Sequence, residues 1–266
     1  MNLSTAWNQS SIKHSDVMKI VRAIYTGYGV VIFTIIFICL FPFLLIPILI
    51  PSQFKLVGVF NRWWAKLMFT FLALPWKVVY KTKLDKNRQY IFCPNHFSYM
   101  DIATMGLNAH NTIFVGKNDM ENIPLFGFMY KKLHITVDRS KLRSRYSTML
   151  RTLEALDQGK SLVIFPEGGI VTEKEPVMGK FKDGAFRASI EKKIAIVPVT
   201  IPFNWIILPP DQFLLNWKPM KIIFHAPIDP SAYSLETIEQ MKEDARKVID
   251  QELQLHLQNE NRSRTS

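Results

Sequence analysis

The feature that most constrains this chain of 266 residues is a long stretch without charge, from Ala23 to Phe54. No Lys, Arg, Asp or Glu occurs in it, and most of it is apolar. About 20 apolar residues in a helix are enough to cross the hydrocarbon core of a bilayer. Since 48% of all residues are hydrophobic, a disordered chain is also excluded. The sequence therefore predicts a folded protein that is retained at a membrane.

The charges on the two sides of this stretch have the same sign. The basic residues that flank it are Lys13, Lys19, Arg22, Lys55, Arg62 and Lys66. Positive charge marks the cytoplasmic side of a membrane segment. Because both flanks are basic, the charges do not favour a single crossing with one flank on each side of the membrane. Pro42, Pro47 and Pro51 each remove a backbone donor, which favours a helix that enters one leaflet and returns. We therefore expect the chain on the cytoplasmic face of the inner or cell membrane.

A second segment, between Phe60 and Trp76, has a more mixed composition. It places aromatic rings beside basic groups, which is typical of helices that lie at headgroup depth. We predict a membrane-embedded helical hairpin over residues 1–76, made of an apolar helix at about 23–51 and an interfacial helix at about 56–75. The alternative is a single-pass helix followed by an ordinary core helix.

Beyond Trp76, short apolar runs alternate with longer amphipathic segments. This pattern predicts an α/β fold with a mostly parallel sheet flanked by helices. The predicted strands are 89–93, 112–115, 133–137, 161–165, 194–201 and 220–224. The predicted helices are 99–108, 124–131, 142–156, 183–192 and 235–257. These elements form one domain over residues 77–258, and we expect the polar tail at 259–266 to fray.

His96 and Asp101 lie where a predicted buried strand gives way to a predicted helix. In parallel sheets this carboxyl edge is where ligands bind. If the helix begins near Ser98, the His96 ring can fold back onto the Asp101 carboxylate. Such a carboxylate fixes the tautomer of the imidazole and leaves the other ring nitrogen free to act as a base. The same spacing also matches a capping box from Ser98 to Asp101, in which the carboxylate only satisfies a backbone donor.

Charged side chains also lie at other predicted strand ends. At Glu167 and Gly168 a fixed carboxylate can bond a hydroxyl, and the glycine lets a ligand approach the backbone. Taken alone, an ordinary strand-to-loop turn is the better explanation of these two residues. Arg139 also closes a strand, and an arginine there offers bidentate recognition of phosphate or carboxylate. Lys117 has Glu121 one helical turn away, which is also the pattern of a simple surface pair.

Four short motifs occur in a fixed order along the chain. They are Asn95-His96-x4-Asp101, Val137-Asp138-Arg139, Phe165-Pro166-Glu167-Gly168 and Val197-Pro198. In this order they resemble the motifs of the glycerolipid acyltransferase family, which includes the lysophosphatidate acyltransferases and has an HX4D motif. Further matches are Lys117, the run Ile123-Pro124-Leu125-Phe126-Gly127 and the run Phe181-Lys182-Asp183-Gly184-Ala185-Phe186. The resemblance covers residues 60 to 230.

The resemblance implies a membrane-bound enzyme that transfers a fatty acyl group from a coenzyme A or acyl carrier protein thioester to a lipid hydroxyl. The usual acceptor is 1-acylglycerol 3-phosphate, which becomes phosphatidate. His96 is then the general base and Asp101 its orienting partner. The residues implied in substrate binding are Arg139, Glu167, Gly168 and Lys117. We expect no metal and no other cofactor, because the thioester supplies a good leaving group.

The chain departs from the family pattern after Gly168. Where the family often continues with Thr-Arg-Ser, this chain has Gly169-Ile170-Val171, and it therefore lacks a cation that helps to hold phosphate. Phosphate binding then rests on Arg139, Lys182 or Arg187. The acceptor can therefore also be another lysolipid, including an amino-acid-based one.

A third hypothesis is a catalytically silent lipid-binding scaffold, which the basic and aromatic membrane face suggests. The net charge of +11 does not indicate nucleic-acid binding, because no nucleic-acid module organises the basic residues. The positive charge instead suits anionic headgroups, or an acidic carrier protein as donor. The expected partners are therefore membrane lipids, the thioester donor and the lysolipid acceptor.

Overall fold

The computed structural model of the chain describes residues 3–117, 121–138, 142–171 and 175–265. Within these residues the α-helices are α1 (Leu3–Leu49), α2 (Lys55–Phe71), α3 (Met100–Met105), α4 (Phe126–Leu133), α5 (Leu142–Asp157), α6 (Gly184–Lys192), α7 (Asn204–Ile207) and α8 (Ile238–Thr265). Single turns of 3-10 helix lie at Pro51–Gln53 and Pro230–Ala232.

Seven strands in the described part of the chain form one sheet. They are β1 (Trp76–Tyr80), β2 (Ile91–Pro94), β3 (Thr112–Lys117), β4 (Ile135–Val137), β5 (Ser161–Ile164), β6 (Ile196–Thr200) and β7 (Met220–Phe224), in the order β1-β7-β6-β2-β5-β3-β4. Neighbouring strands run parallel except β6 and β7, which are antiparallel. The predicted α/β class with a mostly parallel sheet is confirmed, and β1 is an additional strand.

Helices cover both faces of the sheet. Successive side chains of a strand point to opposite faces. On one face, Ile91 belongs to a buried cluster with Phe186 of α6 and Ile249 of α8. On the other face, Phe92 belongs to a buried cluster with Met105 of α3. The sheet is thus enclosed by two helical layers, and the loops at the carboxyl ends of its strands are free to form a site.

Helices α1 and α2 form an antiparallel hairpin, as predicted. Tyr25 of α1 donates its hydroxyl proton to the Leu72 carbonyl at the end of α2, at 2.7 Å. Further along, the rings of Phe33 and Trp64 meet edge to face, with centroids 5.3 Å apart. The structure differs from the prediction in that α1 begins well before residue 23 and continues through Pro42, which removes only one backbone donor. The division into an anchor at 1–76 and a domain at 77–258 stays a prediction.

Helix α1 presents two opposite faces. Its buried stripe has a helical spacing of three or four residues and includes Gly29, Ile36, Phe37, Leu40 and Leu44. The opposite stripe is exposed and apolar, and includes Ile24, Val31, Ile35, Ile38 and Leu49. The segment Asp16–Leu49 is long and apolar enough to cross a membrane. An exposed apolar surface of this extent suits a lipid environment.

The C-terminal tail is helical as far as the structure describes it, to Thr265, whereas the sequence predicts an end of the helix at 257 and a frayed tail over 259–266. Lys218, which precedes β7, forms an ion pair with Glu260. This tertiary contact holds the last turns of α8 against the domain, whereas the polar composition of the tail alone suggests loss of structure.

Helix α2 docks on the domain by a close approach at Gly58. A Cβ added there would lie 2.5 Å from the Cα of Asn111. Next to it, Arg62 donates to the carbonyls of residues 108–110 at 3.1, 3.2 and 3.3 Å and to Asn111 Oδ1 at 3.0 Å. Glycine at position 58 therefore allows α2 to reach this loop.

We predict that Gly58→Ala separates α2 from the loop and lowers the free energy of unfolding by about 1–3 kcal/mol. The measurement is the midpoint of thermal unfolding in one detergent. Gly27→Ala in α1 is the matched control, because a Cβ there meets nothing within 4 Å. Alanine is the better helix former, so this control should be unchanged or slightly more stable. Equal midpoints for the two variants would contradict the docking role of Gly58.

Candidate active site

The loop between β2 and α3 lies at the carboxyl edge of the sheet. Its first residue, Asn95, is fully buried and exchanges two side-chain hydrogen bonds with the backbone of Ile201, at 3.0 and 2.8 Å. Ile201 directly follows β6, which is the neighbour of β2 in the sheet. The loop is therefore tied down at the residue before His96, and His96 has a fixed position.

Asp101 lies in the first turn of α3 and is fully buried. Its Oδ2 lies 3.0 Å from Nδ1 of His96. The same oxygen accepts the backbone N–H groups of Phe97 and Ser98, at 2.8 and 2.9 Å. The structure thus combines the two interpretations that the sequence leaves open. Asp101 satisfies backbone donors before the helix, and it also bonds the imidazole.

The contacts of the His96 ring determine its tautomer. A carboxylate oxygen that already receives two N–H groups is an acceptor, so the proton of the neutral ring lies on Nδ1. The ring of Phe165 stacks on the imidazole with centroids 4.0 Å apart and an interplanar angle of 23°. Nε2 has no hydrogen-bond partner among the described residues. The ring is therefore held in place with its unprotonated nitrogen available to a ligand.

Asn204, which the sequence analysis missed, completes the partners of this carboxylate. From the start of α7 its Nδ2 donates to Asp101 Oδ1 at 2.9 Å and to Thr104 Oγ1 at 2.8 Å. Its own Oδ1 is buried without a partner among the described residues. The signal in the sequence is a lone amide within the apolar run from 201 to 207. That signal marks Asn204 as unusual but does not reveal its partner.

His96 opens on a cleft of about 290 Å³. Other residues that line this cleft are Tyr99, Lys117, Phe165, Gly168 and Ile170. Gly168 has a φ of +84°, which glycine adopts without strain, and its backbone forms part of the wall. The structure therefore brings Lys117 and Gly168 to the same cleft as His96.

Glu167 makes contacts that the sequence does not indicate. It is fully buried, and its two oxygens accept the backbone N–H groups of His96 at 2.8 Å and Gly179 at 2.7 Å. Burial raises the pKa of the Glu167 carboxyl to about 7, although the two amide donors oppose the rise. This geometry positions His96 through its backbone. A direct contact between Glu167 and an acceptor lipid stays a prediction.

The basic side chains that the sequence proposes for phosphate binding have different surroundings in the structure. Arg139 lies outside the described residues. Lys182 lines a second cleft, of about 520 Å³, that adjoins the cleft of His96. Arg187 is paired with Glu191 on the surface of α6, at 2.7 Å. Within the described ranges, no group of three or more His, Cys, Asp or Glu side chains is arranged to hold a metal ion.

A small apolar cavity of about 70 Å³ lies beneath the hairpin. Most of its walls come from α1, α2 and α4 and include Phe37, Phe60 and Phe126. The residues that it shares with the cleft of His96 are Ile102, Phe114 and Tyr130. The cleft therefore adjoins an apolar space next to the hairpin.

Comparison with known proteins matches residues 76–202 to the family described as acyltransferase. The 1-acyl-sn-glycerol-3-phosphate acyltransferase of Saccharomyces cerevisiae is 31% identical over 206 residues, which are 76% of this chain and 67% of that protein. A chloroplast 1-acyl-sn-glycerol-3-phosphate acyltransferase of Arabidopsis thaliana is 30% identical over 143 residues, 53% of this chain and 40% of that protein. The chain spans about half the length of the plant relatives that it matches.

Two further similarities concern the acceptor and the fold. The lyso-ornithine lipid O-acyltransferase of Pseudomonas aeruginosa is 30% identical over 146 residues, 54% of each chain. The crystal structure of the 1-acyl-sn-glycerophosphate acyltransferase of Thermotoga maritima superposes with a TM-score of 0.72. The superposition covers 90% of this chain and 96% of that chain at 20% identity, so it shows a shared fold.

The raised pKa of Glu167 predicts how stability changes with pH. The ordinary pKa of this carboxyl is 4.5, and burial raises its pKa to about 7 in the folded chain. Between these values the folded chain holds a proton that the unfolded chain has lost. The stabilising contribution is therefore complete below about pH 4.5 and decreases as the pH rises through about 7. We predict that the unmodified chain loses up to about 3 kcal/mol relative to Glu167→Gln over this range.

The measurement is the difference in free energy of unfolding between the unmodified chain and Glu167→Gln, in one detergent, from about pH 4 to 8. Glu243→Gln, which alters an exposed carboxyl of α8, controls for the exchange of a carboxyl for an amide. A difference that stays constant, or that grows with rising pH, would contradict the raised pKa.

Proposed function

Because the chain belongs to the glycerolipid acyltransferase family, we propose that it transfers a fatty acyl group from a thioester to the hydroxyl of 1-acylglycerol 3-phosphate and forms phosphatidate. The observation that carries this proposal is the pairing of His96 Nδ1 with the buried Asp101 at the wall of a cleft. The names of the relatives in yeast and Arabidopsis support this acceptor.

In the proposed reaction, Nε2 of His96 takes the proton of the acceptor hydroxyl as the hydroxyl oxygen attacks the thioester carbonyl carbon. The resulting tetrahedral intermediate collapses, its carbon–sulfur bond breaks, and the leaving thiolate receives the proton from Nε2. The products are an ester and a free thiol. Asp101 stabilises the imidazolium that forms in between. Neither an acyl-enzyme nor a cofactor is required, because the thioester already has a good leaving group.

An anionic acceptor needs cations near His96. We assign this role to Arg139, which follows β4, and to Lys117, which lines the cleft. Gly168 allows the acceptor to approach the backbone of the cleft wall. Glu167 acts indirectly in this proposal, because its carboxylate accepts the backbone N–H of His96 and so positions that residue. The fatty acyl chain then extends toward the apolar cavity beneath the hairpin, where its burial favours binding.

We propose that the hairpin holds the cleft at the surface of one leaflet. Phe126 of α4 contacts Phe33 and Phe37 of α1, with ring centroids 6.0 and 5.4 Å apart. A helix that crossed the bilayer alone would lose these contacts with the domain, so they favour a monotopic anchor over a single pass. Coenzyme A and acyl carrier protein thioesters are cytosolic molecules. The cleft therefore faces the cytoplasm in this proposal.

Ile170 supports a second class of acceptor. Its side chain lines the cleft of His96, at a place where the family often has an arginine. A phosphate in this cleft would therefore have one cation fewer. The similar protein of Pseudomonas aeruginosa is named for a lyso-ornithine lipid. A non-phosphate lysolipid, such as an amino-acid-based one, is thus the second candidate, with the same chemistry at His96.

A panel of acceptors tests both candidates. The purified full chain is incubated in detergent with an acyl thioester and with 1-acylglycerol 3-phosphate, a lyso-ornithine lipid or a monoacylglycerol, and free thiol is measured. We predict thiol release with 1-acylglycerol 3-phosphate, and a loss of about 10²–10⁴-fold in His96→Ala with unchanged thermal unfolding. His256→Ala, which removes a partly buried histidine of α8, is the matched control and should retain activity.

Each outcome of the panel has a definite meaning. Full activity in His96→Ala would contradict the mechanism. Thiol release only with the lyso-ornithine lipid would select the second acceptor class. The chain is a catalytically silent lipid-binding scaffold if it binds vesicles but releases no thiol with any acceptor, whether the donor is a coenzyme A thioester or an acyl carrier protein thioester.

A further inference from the structure

Residues 208–217 make up most of the connection from α7 to β7, which Lys218 and Pro219 complete, and are named the 208–217 loop. This loop carries exposed aromatic side chains. Asp211 is the one charged residue in this loop. The exposed fraction is 55% for Phe213 and 60% for Trp217. No step of the proposed reaction uses either ring. Two large apolar side chains in an almost uncharged loop therefore need another explanation.

Backbone geometry at one ring and a side-chain hydrogen bond at the other constrain these two exposed residues. Phe213 has a φ of +50°, a conformation that costs a bulky residue about 1–3 kcal/mol. Trp217 donates its indole N–H to the Ala73 carbonyl at 2.6 Å. Its polar edge is thus satisfied by protein while most of its ring stays exposed. The loop is built to present apolar surface, which is unfavourable in water.

The 208–217 loop is fastened to the same stripe of α1 that packs on the domain. Arg22 donates to Gln212 Oε1 at 3.1 Å and to the Leu214 carbonyl at 3.0 Å. Thr26 accepts the N–H of Leu215 at 2.8 Å. The loop therefore lies directly beside the segment that is long and apolar enough to cross a membrane.

The C-terminal end of α2, which lies next to this loop, also exposes an aromatic side chain. Phe71 is 53% exposed and lies two residues before Ala73, the partner of Trp217. The exposed rings are therefore continuous with the exposed apolar surface of the hairpin. Tryptophan and other aromatic side chains with a satisfied polar edge are typical of the bilayer interface.

We propose that the 208–217 loop is a second membrane-inserting element, which places Phe213 and Trp217 among lipids beside the hairpin. This inference goes beyond the proposed function and does not depend on it. The loop also reaches the site, because the Leu208 carbonyl accepts the Ser98 hydroxyl at 2.7 Å and Phe213 contacts Tyr99 with ring centroids 5.3 Å apart. The loop thereby fixes the depth of the cleft mouth in the bilayer.

A fluorescent label tests the insertion without any assay of catalysis. In the full chain Cys39 is replaced by alanine, and Cys93 is buried and stays. Phe213→Cys is labelled with an environment-sensitive dye in vesicles of phosphatidylcholine and phosphatidylglycerol. Trp217→Cys provides a second label site if the first variant fails to fold. Leu235→Cys is the matched control, because Leu235 is an exposed apolar residue near the start of α8, beside acidic residues.

We expect emission at shorter wavelength for the label at 213 or 217, and quenching by lipids brominated on their acyl chains that is several-fold stronger than at 235. Quenching by aqueous iodide should be stronger for the label at 235 than for the label at 213 or 217. Equal quenching at the loop and at 235 would overturn the proposal. A short-wavelength emission that brominated lipids do not quench, and that is lost when the protein is diluted in lipid, would also overturn the proposal. That result would identify a second copy of the chain as the partner.

Discussion

The buried carboxylate of Asp101 receives four N–H groups, from the His96 ring, two loop amides and the side chain of Asn204. An uncompensated carboxylate in such a place costs several kcal/mol, so these donors are a condition of folding as well as of the proposed chemistry. They require the loop after β2, the first turn of α3 and α7 to meet at one point. The orientation of His96 follows from this requirement, and Glu167 secures the same residue through its amide.

The hairpin and the domain share their packing, which links membrane attachment to the site. Gly58 brings α2 close to the loop that ends near β3, and α1 covers the apolar cavity next to the cleft. An acceptor lipid has its hydroxyl near the headgroup and its chain in the hydrocarbon. A cleft that presents His96 and Lys117 and adjoins an apolar cavity beneath the hairpin matches this division. The arrangement therefore suits chemistry on a lipid that never leaves the membrane.

The sequence predicts those features that depend on neighbours along the chain. Strand β7 is predicted with both of its ends, because Pro219 bounds a short apolar run. Strand β1 is missed because only four residues separate it from α2, which has a similar aromatic and basic composition. His96 and Asp101 are found because they are five residues apart. Asn204 is missed because its partner lies 103 residues away. For Glu167 the sequence locates the strand end, but only tertiary structure shows that both oxygens bind backbone amides.

Nitrogen-15 NMR of the His96 ring tests most directly whether Asp101 selects the tautomer that the proposed mechanism requires. The full chain, labelled in histidine, is measured in detergent at a pH where the ring is neutral, and the signals of His96 are assigned as those that disappear in His96→Asn. We predict a protonated Nδ1 and an unprotonated Nε2, with the preference lost in Asp101→Asn. A neutral His96 that carries its proton on Nε2 would contradict the proposed role of this nitrogen as the base.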